Sequence, residues 1–303
     1  ALWRGSLRKD RDDGREILSS LAALHERGVA VDWKGFAGPP GGRRAVLPAY
    51  PFRRERHWLA ERGAEHAILT SRTRLAGGEE VWSGEVSADR PRWVAGHRVA
   101  GRAVFPGMGF AEMALAAGGV VEGLTFEVAL ALDDDERREL ELRVSPEGPG
   151  GRPFEIRSRP RAEGGEWTRH ASGVLVPVPG QALRGRFEPS PDATEVAPSE
   201  LYDAIAASGV DYGEAFRGVR RAWRGRGEAW VEVGLPEAAG ATEGHQVHPA
   251  LLDAALHVLG LVLPARGGTW VPFSVDRLRL AGPVGRSLRV HARSEDLDRT
   301  RVV

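Results

Sequence analysis

The stretch HRVAGRAVFPGMGFAEMALAAGG, residues 97–119, decides how the chain folds. RAVFP, 102–106, reads as a short strand that Pro106 stops, because proline cannot donate to a strand ladder. GMGFAEMALAAGG, 107–119, is small and apolar on nearly every face, which predicts a helix buried on most sides. Gly101 allows a tight bend or a close backbone approach ahead of the strand. A strand that breaks at Pro106-Gly107 and passes into a buried helix leaves free N–H groups, and the positive end of the helix dipole, at that junction.

Working outward, a second apolar helix is expected at HPALLDAALHVLGLVL, 248–263, with Pro249 in its first turn. Alternating segments near 68–88 (with a Gly-Gly turn), 124–132, 139–145, 153–159 and 168–177 predict strands, as do 219–224, 228–234 and the segments WVPFSVDRLRLAG and SLRVHAR. The two halves therefore share a plan of strands, one long buried helix and more strands. SELYDAIAASG, 199–209, predicts a helix capped by Ser199. The stretch 176–200 between the halves is rich in Pro, Gly and Ser, a linker composition. At the N-terminus, Ile17, Leu18, Leu21, Leu24 and Val29 space out an amphipathic helix stopped near Gly28. VDWKGFAGPPGGRR, 31–44, then reads as loop. VLPAYPFRRERHWL, 46–59, reads as an extended segment held to a neighbouring surface by Tyr50, Phe52 and Trp58.

Composition narrows the function classes. Lys plus Arg and Asp plus Glu are each 42 in 303 residues, so the formal net charge is zero and nothing points to nucleic acid or a membrane surface. The chain has no cysteine, which excludes disulfides, thiolate nucleophiles and cysteine-ligated zinc. No apolar run reaches a membrane span, and the N-terminal stretch has no signal-peptide core, so a cytoplasmic location is expected.

Two constellations carry chemistry. In H-x-x-x-G-x-x-x-x-P, formed by His97, Gly101 and Pro106, a histidine precedes a strand–turn–helix whose free N–H groups, at or beside Gly107, can hold a carbonyl gaining negative charge. A lone histidine is more often a core or surface residue; this context favours a base. In HPALLDAALH, Asp253 and His257 are i, i+4 neighbours on one helix face. A carboxyl among apolar residues is costly to bury without a partner or a task, and such surroundings are expected to raise its pKa and make it a proton donor. The plain alternative is an Asp–His pair on a solvated edge.

Together with Tyr212-Gly213 in GVDYGEAF, these motifs resemble the dehydratase domains of modular type I polyketide synthases, and LPAYPFRRERHWL resembles the linker that follows the acyltransferase in such synthases. The resemblance covers nearly the whole chain from about residue 30. It implies an α+β double hot-dog, two long helices each wrapped by an antiparallel sheet. The expected organisation is a post-acyltransferase linker region over 1–62, hot-dogs over 63–178 and 199–303, and a linker over 179–198. It implies a 3-hydroxyacyl-carrier-protein dehydratase, a hydro-lyase, with His97 as base and Asp253 as acid. His257 would orient the acid or the water, Tyr212 would bind the substrate's β-hydroxyl, and Gly101, Pro106, Gly107, Pro249 and Phe216 would support the site. No cofactor is implied beyond the phosphopantetheine that tethers the substrate to an acyl carrier protein. The other implied partners are the acyltransferase and ketoreductase domains of the same synthase and a second copy of the chain.

The family's G-Y-x-Y-G-P-x-F stands here as Gly209–Phe216 without its first Tyr (Val210) and its Pro (Glu214), and the Trp of L-P-F-x-W is Val275, so the pocket is expected to differ in shape. The family continues through further strands, so those near Val303 are expected to be incomplete. Other readings compete. A dehydratase-like cyclase would close an oxygen ring by oxa-Michael addition. A double-bond isomerase keeps the base but perturbs the acid helix, which is intact here. A two-His-one-carboxylate metal site could form from His97, Asp253 and His257. Nucleotide binding at GMGFAE is opposed by Pro106 in the turn and by Glu112 at the third glycine position. A non-catalytic structural domain would not need both constellations.

Overall fold

The structure, a computed structural model, describes residues 7–38, 66–134, 136–161, 165–178, 187–263, 272–296 and 301–302. The extended segment expected at 46–59 lies outside the described residues. The chain divides into two units, Ala1–Trp58 and Leu59–Val303. In the first, Asp12 caps the helix Asp13–His25 by accepting from the Arg15 N–H, and Gly28 follows with φ of 80°. A short helix, Trp33–Ala37, is capped by Asp32.

The second unit is the double hot-dog expected from the sequence. The helix Gly107–Ala116 is buried from Met108 through Leu115. Gly109 is there because the Phe105 ring lies against it: a Cβ would fall 2.4 Å from a ring carbon. The helix Pro249–Leu256 packs against this first helix, and Ala250, Leu251 and Ala254 are fully buried. A seven-stranded antiparallel sheet lies in the first half and a five-stranded one in the second. Alternation makes the large sheet two-faced. In Arg137–Val144, Leu140, Leu142 and Val144 point to the core, while Glu139, Glu141 and Arg143 point outward. Arg157 meets Glu141 at 2.6 Å and Arg159 meets Glu139 at 2.7 Å on that outer face.

The structure departs from the sequence reading in four places. The helix at 199–209 runs Pro198–Ala207 and its N-cap position is Ala197; Pro198 takes the first turn, where its missing N–H costs nothing, so Ser199 is not the cap. The helix expected over 248–263 is interrupted after Leu256. There His257, Gly260 and Leu261 donate to carbonyls three residues back, which tightens the chain before Leu259–Val262. Within the expected linker 179–198, Thr194–Val196 forms the edge strand beside Val219–Arg224. The halves also exchange strands. Ser274–Leu278 pairs with Val120–Phe126 at the edge of the large sheet, and Val210–Tyr212 pairs with His97–Val99 in a third, four-stranded sheet.

Candidate active site

His97 opens a strand, His97–Val99, that folds back on Arg102–Phe105. The two turn residues, Ala100 and Gly101, have φ of 48° and 80°, as a tight hairpin with the native strand twist requires. The hairpin brings the Val104 carbonyl within 2.9 Å of His97 Nδ1. A carbonyl can only accept, so the ring proton sits on Nδ1 and the lone pair of Nε2 is left for a substrate. The imidazole is 8% exposed.

Tyr212 lies directly across the ladder from His97, with ring centroids 5.5 Å apart. Its ring is 4.3 Å from that of His257 and stacks on Phe216 at 5.9 Å, while Phe216 lies 5.4 Å from His97. The hydroxyl of Tyr212 and the carboxyl of Asp253 are near enough for each to shift the other's pKa. Thus an exchanged strand links the base of one half to the acid helix of the other.

Asp253 is 6% exposed, and its Oδ2 lies 3.4 Å from His257 Nε2, long for a hydrogen bond. Among the described residues, Asp253 Oδ2 and both ring nitrogens of His257 have no hydrogen-bond partner despite burial. Buried polar atoms are rarely left this way; Asp253 Oδ2 and His257 Nε2 face each other, and a polar group entering beside them would find hydrogen-bonding atoms. The expectation that burial raises the Asp253 pKa is corrected. Burial does push it up, but the imidazole of His257, the charge of His97 and the Tyr212 hydroxyl pull it down further, and the carboxyl rests below its usual range. Burial and the Asp253 charge hold the Tyr212 phenol well above its ordinary value, so it stays a donor.

The supporting residues occupy the junctions. Pro106 is the N-cap position and Gly107 the first residue of the first helix, which has no side-chain cap. Pro249 is in the first turn of the second helix, and His248 caps it by accepting from the Ala250 N–H at 3.1 Å. Among the described residues, His97, Asp253 and His257 do not gather ligand atoms within metal-binding reach of one another. The cluster that does is His66, Glu112 and His245, within 4.8 Å. The sequence reading met Glu112 only as an obstacle to nucleotide binding. Glu112, like Asp253, is a carboxyl on an apolar helix and is costly to bury without a partner.

Comparison with known proteins finds relatives along most of the chain. A model of the polyketide synthase dehydratase domain matches residues 66–159, and one described as the polyketide synthase dehydratase N-terminal domain matches 184–302. Polyketide synthase GfsA of Streptomyces halstedii is 37% identical over 94% of this chain but only 4% of its own length. Mycoketide-CoA synthase of Mycobacterium tuberculosis is 35% identical over 89% of this chain and 7% of its own length. The chain therefore spans a small part of these multidomain relatives. A dehydratase solved in work on substrate selection for the borrelidin and fluvirucin polyketide synthases is 36% identical, with a TM-score of 0.71 over 77% of this chain and 86% of that one. The bifunctional dehydratase-cyclase domain of ambruticin biosynthesis is 34% identical, with a TM-score of 0.68 over 76% and 85%.

Proposed function

The chain belongs to the dehydratase domains of polyketide synthases, and from that premise we propose that it converts a 3-hydroxyacyl thioester on an acyl carrier protein to the 2-enoyl thioester. His97 Nε2 takes the proton alpha to the thioester carbonyl. The electron pair moves toward that carbonyl, where the uncapped N–H groups at Gly107 stabilise the negative charge. The C–O bond to the β-hydroxyl breaks as Asp253 gives that oxygen a proton, and water leaves. Each positioned proton transfer contributes about 10²–10⁴-fold.

An acid must first hold a proton. The charge of His97 that pulls the Asp253 pKa down exists only while both imidazole nitrogens are protonated. Once His97 is in its base form that pull is gone, and burial, which favours the protonated carboxyl, weighs more.

What carries this reading is the trio of orphaned buried atoms, Asp253 Oδ2 and the two His257 nitrogens, in the ring cluster that holds His97. A β-hydroxyl both donates and accepts, and would satisfy atoms of that trio. His97→Ala and Asp253→Ala are each expected to lower turnover of a 3-hydroxyacyl carrier-protein substrate at least 10³-fold with an unchanged circular-dichroism spectrum. Full activity in either would sink the assignment.

The likeness to the ambruticin dehydratase-cyclase favours a second reading, in which the same base activates a distal hydroxyl to close an oxygen ring on the enoyl product. Ring closure leaves the mass of the enoyl thioester unchanged, so chromatography of a substrate carrying that extra hydroxyl separates the two. Delivery by the carrier protein, neighbouring acyltransferase and ketoreductase domains, and pairing with a second copy belong to the same proposal.

A further inference from the structure

We infer that Glu112, held by His66 and the backbone of Gln246 with His245 beside it, is a positioning residue for the elimination. It fixes the helix that begins at Gly107 against the helix that carries Asp253. The inference rests on the proposed dehydration.

Glu112 is fully buried, one turn and a half from Gly107 on the first helix. Its Oε1 accepts the N–H of Gln246 at 2.8 Å, two residues before His248 caps the Asp253 helix. Its Oε2 accepts from His66 Nε2 at 2.8 Å and lies 3.2 Å from His245 Nδ1. One carboxylate therefore ties the helix whose N–H groups face the substrate carbonyl to the loop that sets the start of the acid helix. Gly107 and Asp253 must address adjacent parts of one acyl chain, so a shift between the helices of even about 1 Å is costly to the reaction.

The three side chains look like a metal site, and the tautomer of His66 argues against that use. His66 Nδ1 accepts from the N–H groups of Ile68 and Leu69, at 3.1 and 2.9 Å. The ring proton is therefore on Nε2, the atom that faces Glu112. A histidine that binds metal presents a bare nitrogen and donates from the other; His66 is arranged the opposite way. It is a donor to a carboxylate, and the cluster is a clamp.

The test is steady-state kinetics of the whole chain on a 3-hydroxyacyl carrier-protein thioester. Glu112→Gln replaces an accepting oxygen by an N–H2 group that opposes the His66 N–H. It is expected to lower kcat at least tenfold while KM stays within about threefold, in a protein whose circular dichroism is native. Should that variant not fold, Glu112→Asp and the pair His66→Gln and His66→Leu decide the matter. The aspartate falls short of Gln246 and is expected to lose kcat. The glutamine keeps a donor toward Glu112 and is expected to retain more kcat than the leucine. A folded Glu112→Gln with kcat within twofold of the parent, or His66→Gln no better than His66→Leu, overturns the inference. Failure of the unaltered chain to dehydrate any such substrate would instead remove the proposed function beneath it.

Discussion

Tyr212 joins the two constellations that the sequence keeps far apart. It faces His97 across a strand pair, packs on His257 and interacts with the Asp253 carboxyl. Tyr212→Phe keeps the ring contacts and removes only the hydroxyl. The Asp253 carboxyl then loses one of the groups that pull its pKa down. Turnover is nonetheless expected to drop about 10- to 100-fold, because the hydroxyl that orients the acid carboxyl is gone and a misplaced catalytic group costs on that order. Thermal stability should change little. A variant with undiminished kcat would show that the hydroxyl does not act on the acid. Glu112 belongs to the same scale. Removing one partner of a buried charge costs about 3–5 kcal/mol, which is why its substitution is judged by kinetics on folded protein.

At the scale of the element, the start of the acid helix is tied to pH. His248 caps it through Nδ1, so protonating that nitrogen breaks the cap. Burial, helped by the charge of His245, brings the His248 pKa from 6.5 down to about 4. Between those two values the unfolded chain binds a proton that the native one refuses, so stability rises with pH through the window. The gap is worth on the order of 3 kcal/mol. His248→Asn keeps a capping acceptor and removes the proton site. Urea denaturation at pH 5 and pH 7 should show the parent losing clearly more stability on acidification than the variant. Equal losses would place the linkage elsewhere. The depressed pKa values of Glu112 and Asp253 add stability of the same sign, lost as pH falls through the carboxylate range.

At the scale of the molecule, the Leu59–Val303 unit is interleaved. Ser274–Leu278 completes the sheet of the first half, and Val210–Tyr212 completes the small sheet that holds His97. Neither half can leave without stripping a strand from the other. Hydrogen exchange in increasing denaturant should therefore release the Val120–Phe126 and Glu228–Gly234 amides at one shared midpoint. Separate midpoints would mean that the two hot-dogs are independent folding units.

The sequence by itself determined the elements and the two chemical motifs. The stop at Pro106, the turn at Gly101, the apolar run 107–119 and the alternation in 137–144 are local, and sterics and periodicity act within a few residues. Whatever depends on partners distant in sequence was decided by the tertiary structure alone. Gln246 and Glu112, 134 positions apart, meet only once the helices pack. The strand exchange sets Tyr212 on Asp253, and the ring cluster that results lowers the Asp253 pKa where burial alone would raise it. A pattern along the chain states that a carboxyl is buried, but its electrostatics are set by which charges arrive beside it, and these come from the other half of the fold.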